Sequence, residues 1–195
     1  GFALNAARVH RFYNERRRAL KTVEPNPAHI ALAALETALR KTGRQLTLIT
    51  QNVDDLHERG GSKNVIHMHG ELLSAMCQNC QEKWPETGDT TPDSICPKCK
   101  NSGGPRPDIV WFGEMPYFMN AIDTALESCD LFVSIGTSGA VYPAAGFVQT
   151  ARRAGKRTLE LNLERSEGSH DFDETRLGPA SELVPAWAAE ITEAL

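Results

Sequence analysis

Four cysteines have the spacing of a metal site. Cys77 and Cys80 form one C-x2-C pair and Cys96 and Cys99 a second, with fifteen residues between the pairs. This is the pattern of a zinc ribbon or knuckle, in which each pair grips the ion from a tight turn. Four thiolates complete a tetrahedral Zn²⁺ site and leave no position for water. Two disulfides, or four free thiols, are the alternatives, and nothing else in the chain points to secretion. Cys129, in "ALESCDLFVSIG", reads as a small buried apolar residue at a helix-to-strand junction.

His67 and His69 stand just ahead of the first pair, in "NVIHMHGELLSAMCQNC". With four cysteines on the metal, neither is needed as a ligand. If "VIHMH" is a strand, its period of two puts both imidazoles on one face and Met68 on the other. They are then either satisfied polar groups or a candidate base near working pH.

Short apolar runs place the remaining polar groups. "LTLIT", "VIHMH", "DIVWF", "LFVSIG" and "TLELNL" read as strands. Asn26-Pro27 opens a helix carrying Ile30, Ala31, Ala34, Leu35, Ala38 and Leu39 and ending near Gly43. Further helices are expected from Gly1 to about Leu20, over 119–129 and over 143–154. "SELVPAWAAEITEAL" reads as a short strand or turn followed by a closing helix. Such alternation implies an α/β fold with a mainly parallel sheet covered on both faces. The Cys-, Pro-, Gly- and Asn-rich segment 72–107 reads as an inserted zinc module. It divides the main domain into 1–71 and 108–195.

Ligands of such sheets bind beyond the carboxyl ends of the strands. After "LTLIT" come Gln51, Asn52 and Asp54, suited to sugar hydroxyls or a carboxamide, or equally to capping a helix. After "LFVSI" comes Gly136-Thr137-Ser138-Gly139, small enough for phosphate or ribose to approach. After "TLEL" come Asn162 and Glu164, which suit a ribose diol. Together these groups describe a nucleotide site.

Composition limits the partners. The net charge of −4 and pI near 5.9 disfavour a binder that tracks nucleic-acid phosphates. No apolar run reaches the roughly 20 residues that cross a bilayer, and the start has no signal-peptide pattern.

In order along the chain, "TQNVDDLH", "VIHMHGEL", the paired C-x2-C motifs, "IVWFGEMP", "IGTSGAVYPAAGF" and "LNLE" resemble the sirtuin family of NAD-dependent protein lysine deacylases. The resemblance covers almost the whole chain and implies a Rossmann-like sheet with one structural Zn²⁺ on the four cysteines. It implies that NAD is consumed, giving nicotinamide, O-acyl-ADP-ribose and free lysine. His69 matches the family's catalytic base, and His67 matches a neighbour of structural use. Gln51, Asn52 and Asp54 match the contacts to the nicotinamide ribose and carboxamide, and Gly136, Thr137 and Ser138 the loop on the adenosine side. Asn162 and Glu164 match contacts to the adenine ribose, and Ala180, in "GPA", the turn near adenine. Val110, Phe112, Gly113 and Glu114 match the segment that meets the substrate peptide, with Val141 on the opposite wall. "FYNERRR" resembles the bacterial and mitochondrial-type members that remove succinyl and malonyl groups, with Tyr13 and Arg16 gripping the acyl carboxylate. The partners implied are acylated lysine side chains of proteins, with no direct nucleic acid and no membrane. A monomer in the bacterial cytoplasm is expected.

The family's "GAGxS" turn has no counterpart ahead of the first helix. The chain is therefore expected to be a fragment of a longer protein or a shortened relative, with weak NAD binding and little turnover. A catalytically silent acyl-lysine reader and an NAD-dependent ADP-ribosyltransferase are the alternatives carried forward. For the metal the expectation is direct: protein purified without chelator should carry one zinc per chain, and stripping it should unfold the 72–107 segment before the sheet. Elemental analysis that finds no zinc would reject the assignment.

Overall fold

The computed structural model describes residues 2–195, so Gly1, at the head of the expected first helix, lies outside the described residues. A short 3-10 turn, Phe2–Leu4, precedes α1 (Ala6–Leu20), α2 (Pro27–Lys41), β1 (Leu48–Thr50), α3 (Leu56–Arg59) and β2 (Val65–His67). Then come β3 (Gly70–Cys77), β4 (Lys83–Pro85), β5 (Pro105–Ile109), α4 (Met119–Ser128) and β6 (Leu131–Ile135). The chain ends with α5 (Phe147–Arg153), β7 (Arg157–Asn162), β8 (Glu174–Leu177) and α6 (Ala180–Glu193). Strands β1 and β2 pair with each other.

The chain forms two compact units. The first contains the chain up to Glu24, Ile49–Arg59 and Ile66–Tyr117. Its sheet is antiparallel, in the order β4-β3-β5. The strand expected at "DIVWF" runs instead from Pro105 to Ile109 and pairs with β3, so it belongs to this sheet and not to a parallel one. Pro105 and Pro107 sit on its edge, where a missing N–H breaks no ladder. Beyond Ile109 the chain turns, with Glu114 N–H donating to the Trp111 carbonyl at 2.9 Å.

Helix α1 begins later than expected because Asn5 caps it, its side chain accepting from Arg8 N–H at 2.9 Å. The buried stripe of α1 is largely polar: His10, Asn14 and Arg17, followed by Leu20. The Asn14 amide pairs with both backbone groups of Thr90, donating at 2.8 Å and accepting at 3.0 Å. A His10 ring nitrogen lies 2.7 Å from the Thr90 hydroxyl. Burial, with Arg17 close by, lowers the His10 pKa from its ordinary value.

The second unit contains Pro25–Leu48, Gly60–Val65 and Phe118–Leu195. Strands β6, β7 and β8 are parallel in that order, as the alternation predicts. Leu159 and Leu161, two apart on β7, join Leu32 and Leu35 of α2 and Val184 and Trp187 of α6 in one apolar core. Each such side chain stabilises the fold by about 1.5–3 kcal/mol when fully buried. Asn26 and Pro27 start α2 as expected, with a reciprocal cap between Asn26 and His29. Ile30 is 55% exposed, so the inward face of α2 is centred on Leu32 and Leu35.

Two elements differ from the sequence pattern. Strand β8 carries no strand signal in the sequence, because "ETRL" has one apolar residue among four. Helix α6 continues through Pro185, where a break was expected. Proline there costs the bond to the Ser181 carbonyl, and Ser181 is exposed, so water can satisfy that carbonyl. Among the described residues no helix is long and apolar enough to cross a membrane.

Gly70 is the tightest point of the first unit. Its φ is +84°, and a Cβ there would lie 2.0 Å from the Asp108 carbonyl oxygen. Gly70→Ala should destabilise the protein by at least about 2–3 kcal/mol through strain and clash together. An unchanged urea midpoint would show that β3 and β5 can part without cost.

Candidate functional site

The sulfur atoms of Cys77, Cys80, Cys96 and Cys99 all lie within 4.8 Å of one another. Cys77–Cys99 and Cys80–Cys96 are each 3.7 Å apart. Zinc–sulfur bonds of about 2.3 Å give a tetrahedron with edges of about 3.8 Å, whereas a disulfide needs about 2.05 Å. The donor set therefore fits zinc. Both turns are built alike. Gln81 N–H bonds to the Cys77 carbonyl at 2.9 Å and Lys100 N–H to the Cys96 carbonyl at 3.1 Å, with φ of +60° and +62° at Gln81 and Lys100. Burial opposes the Cys96 thiolate, but bonds from the Cys99 and Lys98 backbone and the neighbouring thiols outweigh it, and the pKa falls to about 6. A side chain at Gly104 would strike the Cys77 sulfur at 2.8 Å.

The histidines are outside this cluster. They do not share a strand face, because β2 ends at His67 and the chain turns through Met68 and His69. His67 is buried, with Nε2 2.7 Å from a Glu58 carboxylate oxygen. Met68 is fully buried, and His69 is half-buried. His69 Nδ1 lies 3.1 Å from the Gln51 carbonyl oxygen. A carbonyl only accepts, so Nδ1 carries the hydrogen and Nε2 keeps its lone pair. Val110 N–H holds the His69 carbonyl at 2.9 Å, and Tyr117 N–H holds that of Met68 at 2.9 Å.

Gln51, Asn52 and Asp54 follow β1 in the same unit. Asn52 N–H donates to the Thr50 hydroxyl at 3.1 Å, while its side chain is exposed. Asp54 accepts from Leu56 N–H at 3.2 Å and so helps start α3. Leu72 N–H bonds to the Val53 carbonyl at 2.6 Å, tying this loop to β3.

The residues expected to meet substrate form a second cluster of the first unit. Phe112 is 99% exposed and Gly113 has φ of +89°. Glu114 is gripped by Arg106 through two bonds of 2.7 and 2.8 Å, and Arg106 also lies 4.0 Å over the Trp111 ring. Trp111 Nε1–H donates to the Tyr13 hydroxyl at 2.9 Å, which leaves that hydroxyl its own hydrogen. Phe2, Val9, Phe12, Tyr13 and Trp111 border an open apolar groove of about 500 Å³. Arg16 is exposed, with its guanidinium 5.2 Å from the Phe12 ring centre.

In the second unit, Gly136 ends β6 with φ of +61° and nothing within 4 Å of where a Cβ would stand. Asn162 Nδ2–H donates to the Thr137 carbonyl at 2.7 Å, bringing the ends of β6 and β7 together. The Ser138 hydroxyl accepts from Ala140 N–H at 3.3 Å. Glu164 is exposed just beyond β7, Ala180 opens α6, and Val141 is 38% exposed ahead of a cis Tyr142-Pro143 bond. Sequence reading missed Glu58, Arg106 and Arg17. The partners of Arg106 and Glu58 lie eight and nine residues away across turns, where no short motif marks the pair, and Arg17 hides in a run of arginines.

Fold and sites together describe an α/β protein with a parallel sheet in one unit, and in the other an antiparallel sheet, a four-thiolate cluster and a histidine bonded at one nitrogen. The profile described as "Sir2 family" matches residues 2–143, and the chain belongs to that family. A relative from Caulobacter vibrioides, named NAD-dependent protein deacylase, is 56% identical over 191 residues, covering 98% of this chain and 80% of its own length. A solved Sir2 homologue in complex with NAD superposes with a TM-score of 0.88 at 33% identity, covering 99% of this chain and 75% of that one. A Sir2 protein bound to an acetylated peptide gives 0.83 at 27% identity, covering 97% and 80%.

The Arg106 pair holds the Glu114 carboxyl below its ordinary value of 4.5. A depressed carboxyl contributes stability that is complete above about 4.5 and lost as pH falls through the folded value. Glu114→Gln should therefore lower Tm at neutral pH, with the gap from the parent closing in acid. A gap that stays constant from pH 7 to pH 3 would remove the ion pair from the account.

Proposed function

We propose that this protein is an NAD-dependent protein lysine deacylase with His69 as its base. The observation that carries the assignment is the His69–Gln51 bond, which leaves Nε2 free beside the Gln51–Asp54 loop. Membership of the Sir2 family, and the names and complexes of its relatives, support the activity.

When bound, NAD supplies the ribose carbon that takes the acyl oxygen as nicotinamide departs. Gln51, Asn52 and Asp54 hold the carboxamide and its ribose. Gly136, Thr137 and Ser138 take the adenosine side, Asn162 and Glu164 the second ribose, and Ala180 borders the adenine. Val110, Phe112, Gly113 and Val141 line the acyl-lysine path, with Glu114 held in place by Arg106. His69 Nε2 accepts a ribose hydroxyl proton, and Nδ1–H to Gln51 steadies the imidazolium that results. The thiolate site stands outside this chemistry and staples the ribbon. With one water consumed as the amine is released, the products are nicotinamide, O-acyl-ADP-ribose and free lysine.

The finer reading is a preference for acidic acyl groups. A buried carboxylate is costly unless it is paired. Arg16 offers it two parallel N–H donors, and Tyr13 the hydrogen not used by Trp111. We place the protein in the bacterial cytoplasm as a monomer.

Measured in protein that carries the family's "GAGxS" unit, His69→Ala should lower O-acyl-ADP-ribose formation by about a hundredfold or more while peptide binding persists. Arg16→Met should depress desuccinylation about ten- to hundredfold more than deacetylation. Turnover of His69→Ala equal to the parent would reject the base, and an equal fall in both activities of Arg16→Met would reject the acyl preference.

A further inference from the structure

Arg16, Arg17 and Arg18 leave α1 at steps of about 100° and meet three different surroundings. Arg16 is exposed near Phe12, and Arg18 pairs with Asp89 at the surface. Arg17 is 1% exposed. Its Nε–H donates to the Leu72 carbonyl at 2.8 Å, and its NH1 donates to the Asn14 side chain at 2.9 Å and the Gly88 carbonyl at 3.4 Å. NH2 has no hydrogen-bond partner, and Arg17 makes no ion pair among the described residues. Burial lowers its pKa, opposed by the fields of Glu86 and Asp89.

A buried cation that spends its bonds on carbonyls is a poor choice for stability alone, because an apolar side chain of the same volume often does as well. What the guanidinium adds is direction. The Leu72 residue it grips from one side is itself bonded through N–H to Val53 at 2.6 Å, between Asn52 and Asp54. Leu72 lies three residues after His69 on the continuous chain into β3. One turn before Arg17, on the same helix, Tyr13 receives the Trp111 indole. The chain of contacts thus runs from Tyr13 along α1 to Arg17, then to Leu72, Val53 and the loop that holds His69.

We propose that Arg17 is a positioning residue: it locks the register of α1 against Leu72 and Val53, and so fixes where Tyr13 and Arg16 stand relative to His69. Its effect on acyl choice rests on the reading of Tyr13 and Arg16 given above. Its effect on geometry does not. A lysine at this position keeps the charge but offers no planar fork and cannot hold Leu72 and Asn14 in one fixed geometry.

The test compares Arg17→Lys and Arg16→Met with the parent chain. In Arg17→Lys, the Leu72 amide should exchange at least about tenfold faster and the Trp111 indole resonance should move, while the Trp187 indole in the second unit stays in place. By calorimetry, the preference for a succinyl-lysine over an acetyl-lysine peptide should fall about tenfold. Asn14→Ala, which leaves the guanidinium but removes its NH1 clamp, should move the same signals less and serves if Arg17→Lys does not fold. Unmoved Leu72 and Trp111 signals would overturn the proposal. So would shifted signals with both peptides weakened equally, since Arg17 would then be a plain stability contact. Arg16→Met reports separately: if it leaves the succinyl preference intact, the acyl reading fails and the two nuclear signals alone decide the case of Arg17.

Discussion

An imidazole acts as a base only through a nitrogen whose lone pair is still its own. In this protein one hydrogen bond, from His69 Nδ1 to the Gln51 carbonyl, decides which nitrogen that is. Much of the first unit serves to keep that bond in place. Met68, wholly buried, anchors the turn from the inside. Gly70 lets the chain leave at a φ that a side chain would resist, pressed against the Asp108 carbonyl. Val110 N–H closes on the His69 carbonyl, so the turn after β5 is bonded to the residue proposed as the base. The site is therefore held by backbone bonds, which survive most side-chain changes.

Side-chain bonds do different work. Arg106 and Glu114 close the turn after β5, and the guanidinium stacks on Trp111 as it does so. Trp111 then donates to Tyr13. A planar cation suits this arrangement because it can pair edge-on with a carboxylate and lie face-on to a ring at once. In the second unit the buried Glu160 plays a comparable part. Burial opposes its charge, but bonds from Ser166, Ser169 and Thr175 outweigh that cost and hold its carboxyl below the ordinary value. That carboxylate shapes the loop after β7, next to Asn162 and Glu164.

Where a signal is periodic or local, the sequence announces it. The four-cysteine spacing, the Asn26-Pro27 cap and the apolar runs of β1, β6 and β7 all appear in the structure where the pattern puts them. Where the deciding contact is distant, the pattern misleads. "DIVWF" looks like one strand, but pairing with β3 stops at Ile109 and begins at two prolines. "VIHMH" alternates like a strand, yet the bonds from Met68 to Thr50 and Tyr117 turn the chain before His69. In the arginine run the motif singles out Arg16, and nothing in charge or spacing marks Arg17. Only tertiary contacts single out Arg17 for burial. The motif order carried the assignment of His69, and composition alone would have left it as an ordinary polar histidine.

Strand β3 begins one residue after His69 and ends at Cys77. From His69 to Cys77 is eight steps of about 3.3 Å, which puts the first thiol roughly 25 Å along the chain from the imidazole. A zinc ion with four thiolates carries two negative charges, but the screening length at physiological ionic strength is only about 8 Å. Across such a span little of the field of a bound ion would survive. The influence of a zinc ion there would be mechanical: it would clamp the far end of the strand that starts beside His69. The same ribbon could carry any tetrahedral ion of similar size and would clamp the strand equally well.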